Sequence, residues 1–220
     1  MPISAIITGA TGMVGEGVLL ACLDDPRVER VLIVNRRASG LSHPKLRELV
    51  HENLQDVSSV APQLAGYGAC FFCLGVSSVG MGEADYRRVT QDLTLGFART
   101  LAALDPATVF TYVTGAGTDS TEQGRTMWAR VKGATENELL RLFPRAVMFR
   151  PGAMLAVPGQ RRLKGWYRAL AWILHVARVL APGKVLRLQD VGRAMVNAAV
   201  AGSDKRVLEV ADIAALARKA

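Results

Sequence analysis

The sequence predicts an α/β fold, a doubly wound parallel sheet carrying a short C-terminal appendage. Three observations predict it. Short apolar runs alternate with segments of helical period along the chain. The first run, Ile3–Thr8, stops at a glycine-rich turn, Gly9-Ala10-Thr11-Gly12-Met13-Val14-Gly15. No internal repeat, low-complexity segment or apolar run of about 18 residues suggests a competing architecture.

Each element has its own signal. Ile3–Thr8 reads as the first buried strand, and Met13–Asp24 as a helix ended by Pro26. Arg30–Asn35 is the second strand. Pro44–Leu49 reads as a short helix, with Pro44 suited to its first turn, and Val50–Leu54 as a third strand. Ala69–Leu74 is a fourth, buried run. Glu83–Ala103 places Tyr86, Val89, Leu93, Phe97 and Leu101 at helical spacing. Thr108–Thr114 is the fifth strand, Thr126–Phe143 a helix stopped by Pro144, and Ala146–Arg150 the sixth strand. Beyond Pro151 the pattern loosens. A helix is predicted over Gly165–Leu180, a second one capped by Asp190 and running through Val200, a last strand at Val207–Val210 and a terminal helix from Asp212. Residues 1–150 are thus expected to form the core of one domain, and 151–220 an appendage that finishes a pocket.

Composition narrows the class. The chain has 220 residues, 50% hydrophobic and 21% charged, with mean hydropathy +0.20, which suits a globular domain and excludes disorder. The start, MPISAIITGATG, lacks the basic region and cleavage site of a secretory signal. Three cysteines cannot build a disulfide framework, so the expected location is the cytoplasm. The net charge of +8 lies wholly beyond residue 150, where 12 Lys/Arg face 4 Asp/Glu. That end suits an anionic ligand, a nucleic acid or a membrane surface, or is simply a solvated basic face. Nucleic acid is not expected, because no zinc-finger spacing or aromatic RNA-binding signature is present. The Gly165–Leu180 segment reads first as a pocket lid or core helix. A subunit contact forming a homodimer, or a membrane-surface helix, are its alternatives.

The glycine-rich turn carries the chemistry. Gly9 permits the tight turn, Gly12 lets the backbone approach a pyrophosphate, and Gly15 lets the helix pack closely on the sheet. The helix then presents free N–H groups and its positive end to the phosphates. Twenty positions beyond Gly15 stands Asn35, followed by Arg36 and Arg37. No carboxylate is there to hold ribose hydroxyls or repel a 2′-phosphate, and two guanidiniums are there to bind one. The expected cofactor is therefore NADP, preferred over NAD. Arg37 also reads as a solvated loop residue.

Taken with NRR (35–37), FCLG (Phe72–Gly75), W-x-x-x-K and FRPG (Phe149–Gly152), the turn resembles the atypical short-chain dehydrogenase/reductases. The branch it most resembles holds the small NmrA-like and Tat-interacting-protein-like proteins, often called NAD-dependent epimerase/dehydratase-like. The resemblance covers residues 3–155 well and the tail loosely. It implies an NAD(P)-binding Rossmann fold. It also implies that Gly9, Thr11, Gly12, Met13 and Val14 line the pyrophosphate, and that Asn35, Arg36 and Arg37 meet the adenosine ribose. Asn53 and Leu54 would lie beside the adenine, Cys73, Leu74 and Gly75 beneath the cofactor, and Pro151 and Gly152 at the nicotinamide.

The catalytic positions depart from that pattern. The family's Tyr-x-x-x-Lys spacing is met by Trp128 and Lys132. An indole does not titrate usefully and cannot replace a phenol as general acid/base. The family's serine falls near Thr114 or Gly115. Lys132 is expected to hold ribose and Thr114 to bond the substrate oxygen, with bound water or another group supplying the proton. Tyr112, two residues before Thr114, is a substitute acid or, more simply, a core tyrosine. Cys70 and Cys73 fall on opposite faces of a strand, and His43, His51 and His175 have no ligand spacing, so no metal site is expected. Asp119, Ser120 and Glu122 form either a substrate-facing or a solvated loop. The expected function is an NADP(H)-dependent oxidoreductase or epimerase-like enzyme acting on a small carbonyl or hydroxyl substrate. The alternative is a dinucleotide-binding regulatory protein without turnover.

Overall fold

The computed structural model describes residues 2–160 and 185–219. The predicted Gly165–Leu180 helix lies outside the described residues. The main sheet has seven strands: β1 (Ile3–Thr8), β2 (Val28–Asn35), β3 (Leu46–Val50), β4 (Ala69–Phe72), β5 (Val109–Val113), β6 (Val147–Phe149) and β9 (Val207–Leu208). Their order is β3-β2-β1-β4-β5-β6-β9, and every neighbouring pair is parallel. A parallel sheet must be covered on both faces. Helices α1 (Met13–Asp24), α4 (Leu93–Leu104), α5 (Met127–Leu142), α6 (Leu188–Ala201) and α7 (Val210–Arg218) are the long ones.

Alternation along the strands feeds two cores. Ala5, Ile7, Val31, Ile33 and Phe71 enter one with residues of α1, α6 and α7. Ile6, Leu32, Val34, Cys70 and Phe72 enter the other with residues of α4 and α5. The second core carries an aromatic stack in which Phe72 meets Phe97, Phe110 and Tyr112 at centroid distances of 5.6, 5.8 and 5.9 Å.

Four local readings need correction. Residues 46–50 form the edge strand β3, with Leu46 opposite Val31 and Val50 opposite Asn35, and not the end of a helix. Leu46 and Leu49 mimic helical spacing because they serve opposite faces: one enters the first core, the other the second. Residues 51–54, read as strand, leave the sheet as a loop. The predicted 83–103 helix begins as α3 (Glu83–Arg87) and passes through a π-type turn, Arg88–Asp92, before α4. Helix α6 starts at Leu188, so Asp190 sits in its first turn, where it favours the helix dipole without capping it.

Residues after 151 build part of the same layers. Strands β7 (Ala153–Leu155) and β8 (Val185–Arg187) pair as a separate small parallel sheet, and β9 completes the main one. Helix α6 covers α1 through small residues. A methyl group on Gly192 would lie 2.5 Å from Ala21 Cβ, and one on Gly17 would lie 2.7 Å from Leu188 Cβ. Helix α7 opens with a capping box between Glu209 and Asp212. Among the described residues no helix is long and apolar enough to cross a membrane.

Candidate functional site

The strand order sets the site. The C-terminal ends of β2, β1, β4, β5 and β6 follow one another along a single edge of the sheet. At the centre, β1 hands over to α1 through the glycine turn. Gly9 has φ +69°, and a Cβ there would sit 2.8 Å from the Cys73 carbonyl and the Leu74 nitrogen. The Gly12 N–H donates to the Gly9 carbonyl at 2.8 Å, which closes the turn. A Cβ on Gly15 would lie 2.1 Å from the Gly9 oxygen. Gly12 differs: a Cβ there would meet only the Gly9 oxygen, at 3.3 Å, and its outer face is open. Helix α1 begins at Met13 with no side-chain cap, so its first N–H groups have no capping oxygen. Beneath the turn, Thr8 Oγ1 is buried without a hydrogen-bond partner among the described residues.

A cavity of about 470 Å³ opens over this turn, lined by Gly9, Thr11, Asn35, Arg36, Arg37, Glu52 and Leu74. The Arg36 and Arg37 side chains make no ion pair or hydrogen bond among the described residues. Asn35 is a tether: its amide donates to Glu48 Oε1 at 3.0 Å, and the Ser39 N–H donates to the same oxygen at 2.8 Å. The loop bearing both arginines is thus pinned to the edge strand. The structure places Leu54 in the core, 2% exposed, and Asn53 on the surface, accepting the Gln55 N–H at 3.1 Å. Glu52 lines the cavity beside them, and the sequence reading missed it. Gly75 is exposed in the loop after β4, while Met13, Val14 and Gly152 are half-buried.

On the other side of the edge, Thr114, Trp128, Lys132 and Pro151 come together. Lys132 Nζ donates to the Thr114 carbonyl at 2.9 Å. The Trp128 indole lies against the Gly115–Gly117 loop, 3.9 Å from where either glycine would carry a Cβ. The Ala116 N–H donates to the Pro151 carbonyl at 2.9 Å. Burial pushes the Lys132 pKa from 10.5 down to about 8, against the opposing pull of Glu136.

Under this surface runs a buried ionic network that sequence reasoning did not find. Glu136, one turn beyond Lys132, is wholly buried, and Arg150, at the end of β6, is 8% exposed. Arg150 Nε donates to both Glu136 oxygens at 3.2 and 3.1 Å, and Nη2 pairs with Oε2. Arg150 also reaches Ser120 Oγ at 2.5 Å and Glu209 Oε1 at 3.2 Å. Thr114 Oγ1 lies 2.6 Å from Glu136 Oε1 and 3.2 Å from the Phe149 carbonyl. A hydroxyl has one hydrogen, and the shorter contact to the carboxylate takes it. Ser120 therefore joins the network. Asp119 instead accepts the Thr121 and Gly124 N–H groups at 2.9 and 2.7 Å, folding its loop on itself.

The remaining candidates fall into the core. Tyr112 is 1% exposed beside Phe72, and burial raises its pKa. Cys70 and Cys73 face opposite cores, and burial pushes the Cys73 thiol up to about 12. No metal-binding cluster occurs among the described residues.

No family model matches the chain. A UDP-N-acetylglucosamine 4-epimerase from Methanobrevibacter ruminantium M1 superposes with TM-score 0.68 at 16% identity, covering 94% of this chain and 75% of that one. The Bordetella bronchiseptica enzyme WbmF, in complex with NAD+, gives TM-score 0.67 at 15% identity, covering 97% and 76%. The chain therefore shares the Rossmann-like α/β fold of these enzymes. Among curated sequences, the mitochondrial protein fmp52 of Aspergillus fumigatus is 30% identical over 213 residues, 90% of this chain and 87% of that protein. The mitochondrial protein FMP52-1 of Scheffersomyces stipitis is 26% identical over 210 residues, 92% and 90% of the two chains. The chain belongs to the FMP52 family. The mitochondrial designation of these relatives overturns the expected cytoplasmic location. Three unpaired cysteines fit any reducing interior and could not single out one compartment.

Proposed function

We propose that the chain binds NADP(H) in preference to NAD(H) and acts as an oxidoreductase or epimerase-like enzyme on a small carbonyl or hydroxyl substrate. One observation carries the reading: two guanidiniums, Arg36 and Arg37, unpaired among the described residues, share a cavity with a glycine turn at a helix start that has no side-chain cap. The residues fit the group. Gly9 and Gly15 keep the backbone cradle tight, and Gly12 leaves its open side to a pyrophosphate. The bound dinucleotide would supply hydride chemistry. Lys132 would hold its nicotinamide ribose, and Pro151 and Gly152 would border the ring.

Calorimetric titration with NADPH and NADH tests this. Wild type should bind NADPH more tightly than NADH. Arg36→Ala should weaken NADPH about tenfold or more, the loss of one charge-assisted phosphate contact, and leave NADH nearly unchanged. Equal losses for both nucleotides would remove the 2′-phosphate assignment, and binding of neither would remove the dinucleotide reading.

A second reading rests on the opposite side of the site. Trp128 stands at the tyrosine position, and the Thr114 hydroxyl turns inward to Glu136. These favour a binding protein that senses the dinucleotide without turnover. Gain of activity only in Trp128→Tyr would support it.

A further inference from the structure

The enzymatic reading needs a proton donor at the substrate oxygen, and the described side chains around the Thr114–Lys132 edge narrow the choice. Trp128 has no titratable proton. Thr114 has a single hydroxyl hydrogen, and it points to the Glu136 carboxylate at 2.6 Å. The three described tyrosines, Tyr67, Tyr86 and Tyr112, are at most 9% exposed and lie in the protein body. Lys132 remains. Its ammonium gives one N–H to the Thr114 carbonyl at 2.9 Å, just past the end of β5, and makes no other hydrogen bond among the described residues.

We propose that Lys132 is the catalytic acid/base of this chain, delivering a proton to the substrate oxygen in reduction and removing it in oxidation. The proposal rests on the oxidoreductase reading above. In reduction, hydride from the reduced dinucleotide adds to the carbonyl carbon while a Lys132 N–H bond breaks and an O–H bond forms. The substrate gains two electrons, the dinucleotide loses two, and the neutral amine regains its proton from water.

The surroundings suit that task. Glu136 lies on the same helix as Lys132, Arg150 just past β6, Tyr112 on β5, and Tyr86 and Glu83 on α3, which packs against that helix. Glu83 is held by Arg130 at 2.6 Å and Arg87 at 3.2 Å. Burial keeps both tyrosines neutral. Arg150 covers the carboxylate of Glu136. Glu136 is left as the charge that acts on the ammonium, and burial outweighs it. A lysine that loses its proton near pH 8 gives it up far more readily than an ordinary one.

Two measurements decide the matter. The first is competitive acetylation with acetic anhydride across pH 6–11, read by peptide mass spectrometry. Lys132 should label with a midpoint near 8, and NADP+ should protect it. A midpoint at the ordinary lysine value would overturn the proposal. The second is NADPH oxidation with phenanthrenequinone, a flat carbonyl probe suited to the Trp128 indole. The rate should be full below about pH 8 and fall above it, because the charged form is the donor. Lys132→Arg keeps the charge and cannot give up the proton. It should lose at least about 100-fold in kcat, with NADPH affinity within about threefold, the usual scale for removing a general acid. Tyr167→Phe, at a tyrosine outside the described residues, should change nothing. Retained turnover in Lys132→Arg, loss in Tyr167→Phe, or no turnover by a protein that binds NADPH would each overturn the assignment and leave the binding reading standing. Failure to bind NADPH at all would instead remove the underlying reading.

Discussion

Arg150→Met should destabilise the fold by about 3–5 kcal/mol, the usual result of leaving a buried charge without its partner. Glu136 has no route to water, and three of its contacts come from the Arg150 guanidinium. The arginine also links the Ser120 loop and the start of α7 to the end of β6. Urea denaturation at pH 7 measures the loss. The double change Glu136→Leu with Arg150→Met should recover most of it, because an apolar pair of similar volume replaces two desolvated ions. The Glu209 contact matters much less. That carboxylate is half-exposed, and Glu209→Gln should cost under about 1 kcal/mol. If Arg150→Met were as stable as wild type, the network would be ornamental to stability.

Gly15→Ala should abolish dinucleotide binding and lower stability by about 3 kcal/mol, the upper range of overpacking. The added methyl would fall 2.1 Å from the Gly9 oxygen and 2.5 Å from its carbon. Those are backbone atoms, and the Gly9 oxygen already accepts the Gly12 N–H, so relief requires opening the turn. Gly12→Ala is the informative contrast. Its methyl meets protein only at 3.3 Å, and Gly12 has φ −97°, which alanine adopts freely. It should melt within a few degrees of wild type and still lose NADPH affinity, since the methyl would occupy the space of the ligand. Calorimetry and thermal unfolding on the pair separate cradle from fold. Equal binding by Gly12→Ala and wild type would place the phosphates elsewhere.

The first βαβ unit was legible because its constraints are local. A positive φ at Gly9 and close packing at Gly15 each demand glycine, and the spacing shows in the letters. Strand β3 was not legible, because Leu46 and Leu49 face different cores and three-residue spacing imitates a helix turn. Glu52 escaped for a topological reason. The acidic partner was sought near position 35 on the second strand, whereas β3 pairs Val50 with Asn35 and carries the following loop into the cavity. Glu136 and Arg150 were hidden by distance along the chain, though a signal existed. A glutamate one turn beyond Lys132 on the inward side of a helix, and an arginine closing an apolar strand, each ask for a partner.

The covering of α1 by α6 also has a cost in time. The helix that frames the glycine turn leaves the ribosome early, and the residues that shelter it, Leu188 and Gly192, leave near the end. At about 5–20 residues per second, the wait is roughly ten to thirty seconds. Such contacts between distant parts of a chain are slow to form and expose apolar surface meanwhile. A chain cut short before α6 would have its glycine turn and no cover for the helix behind it.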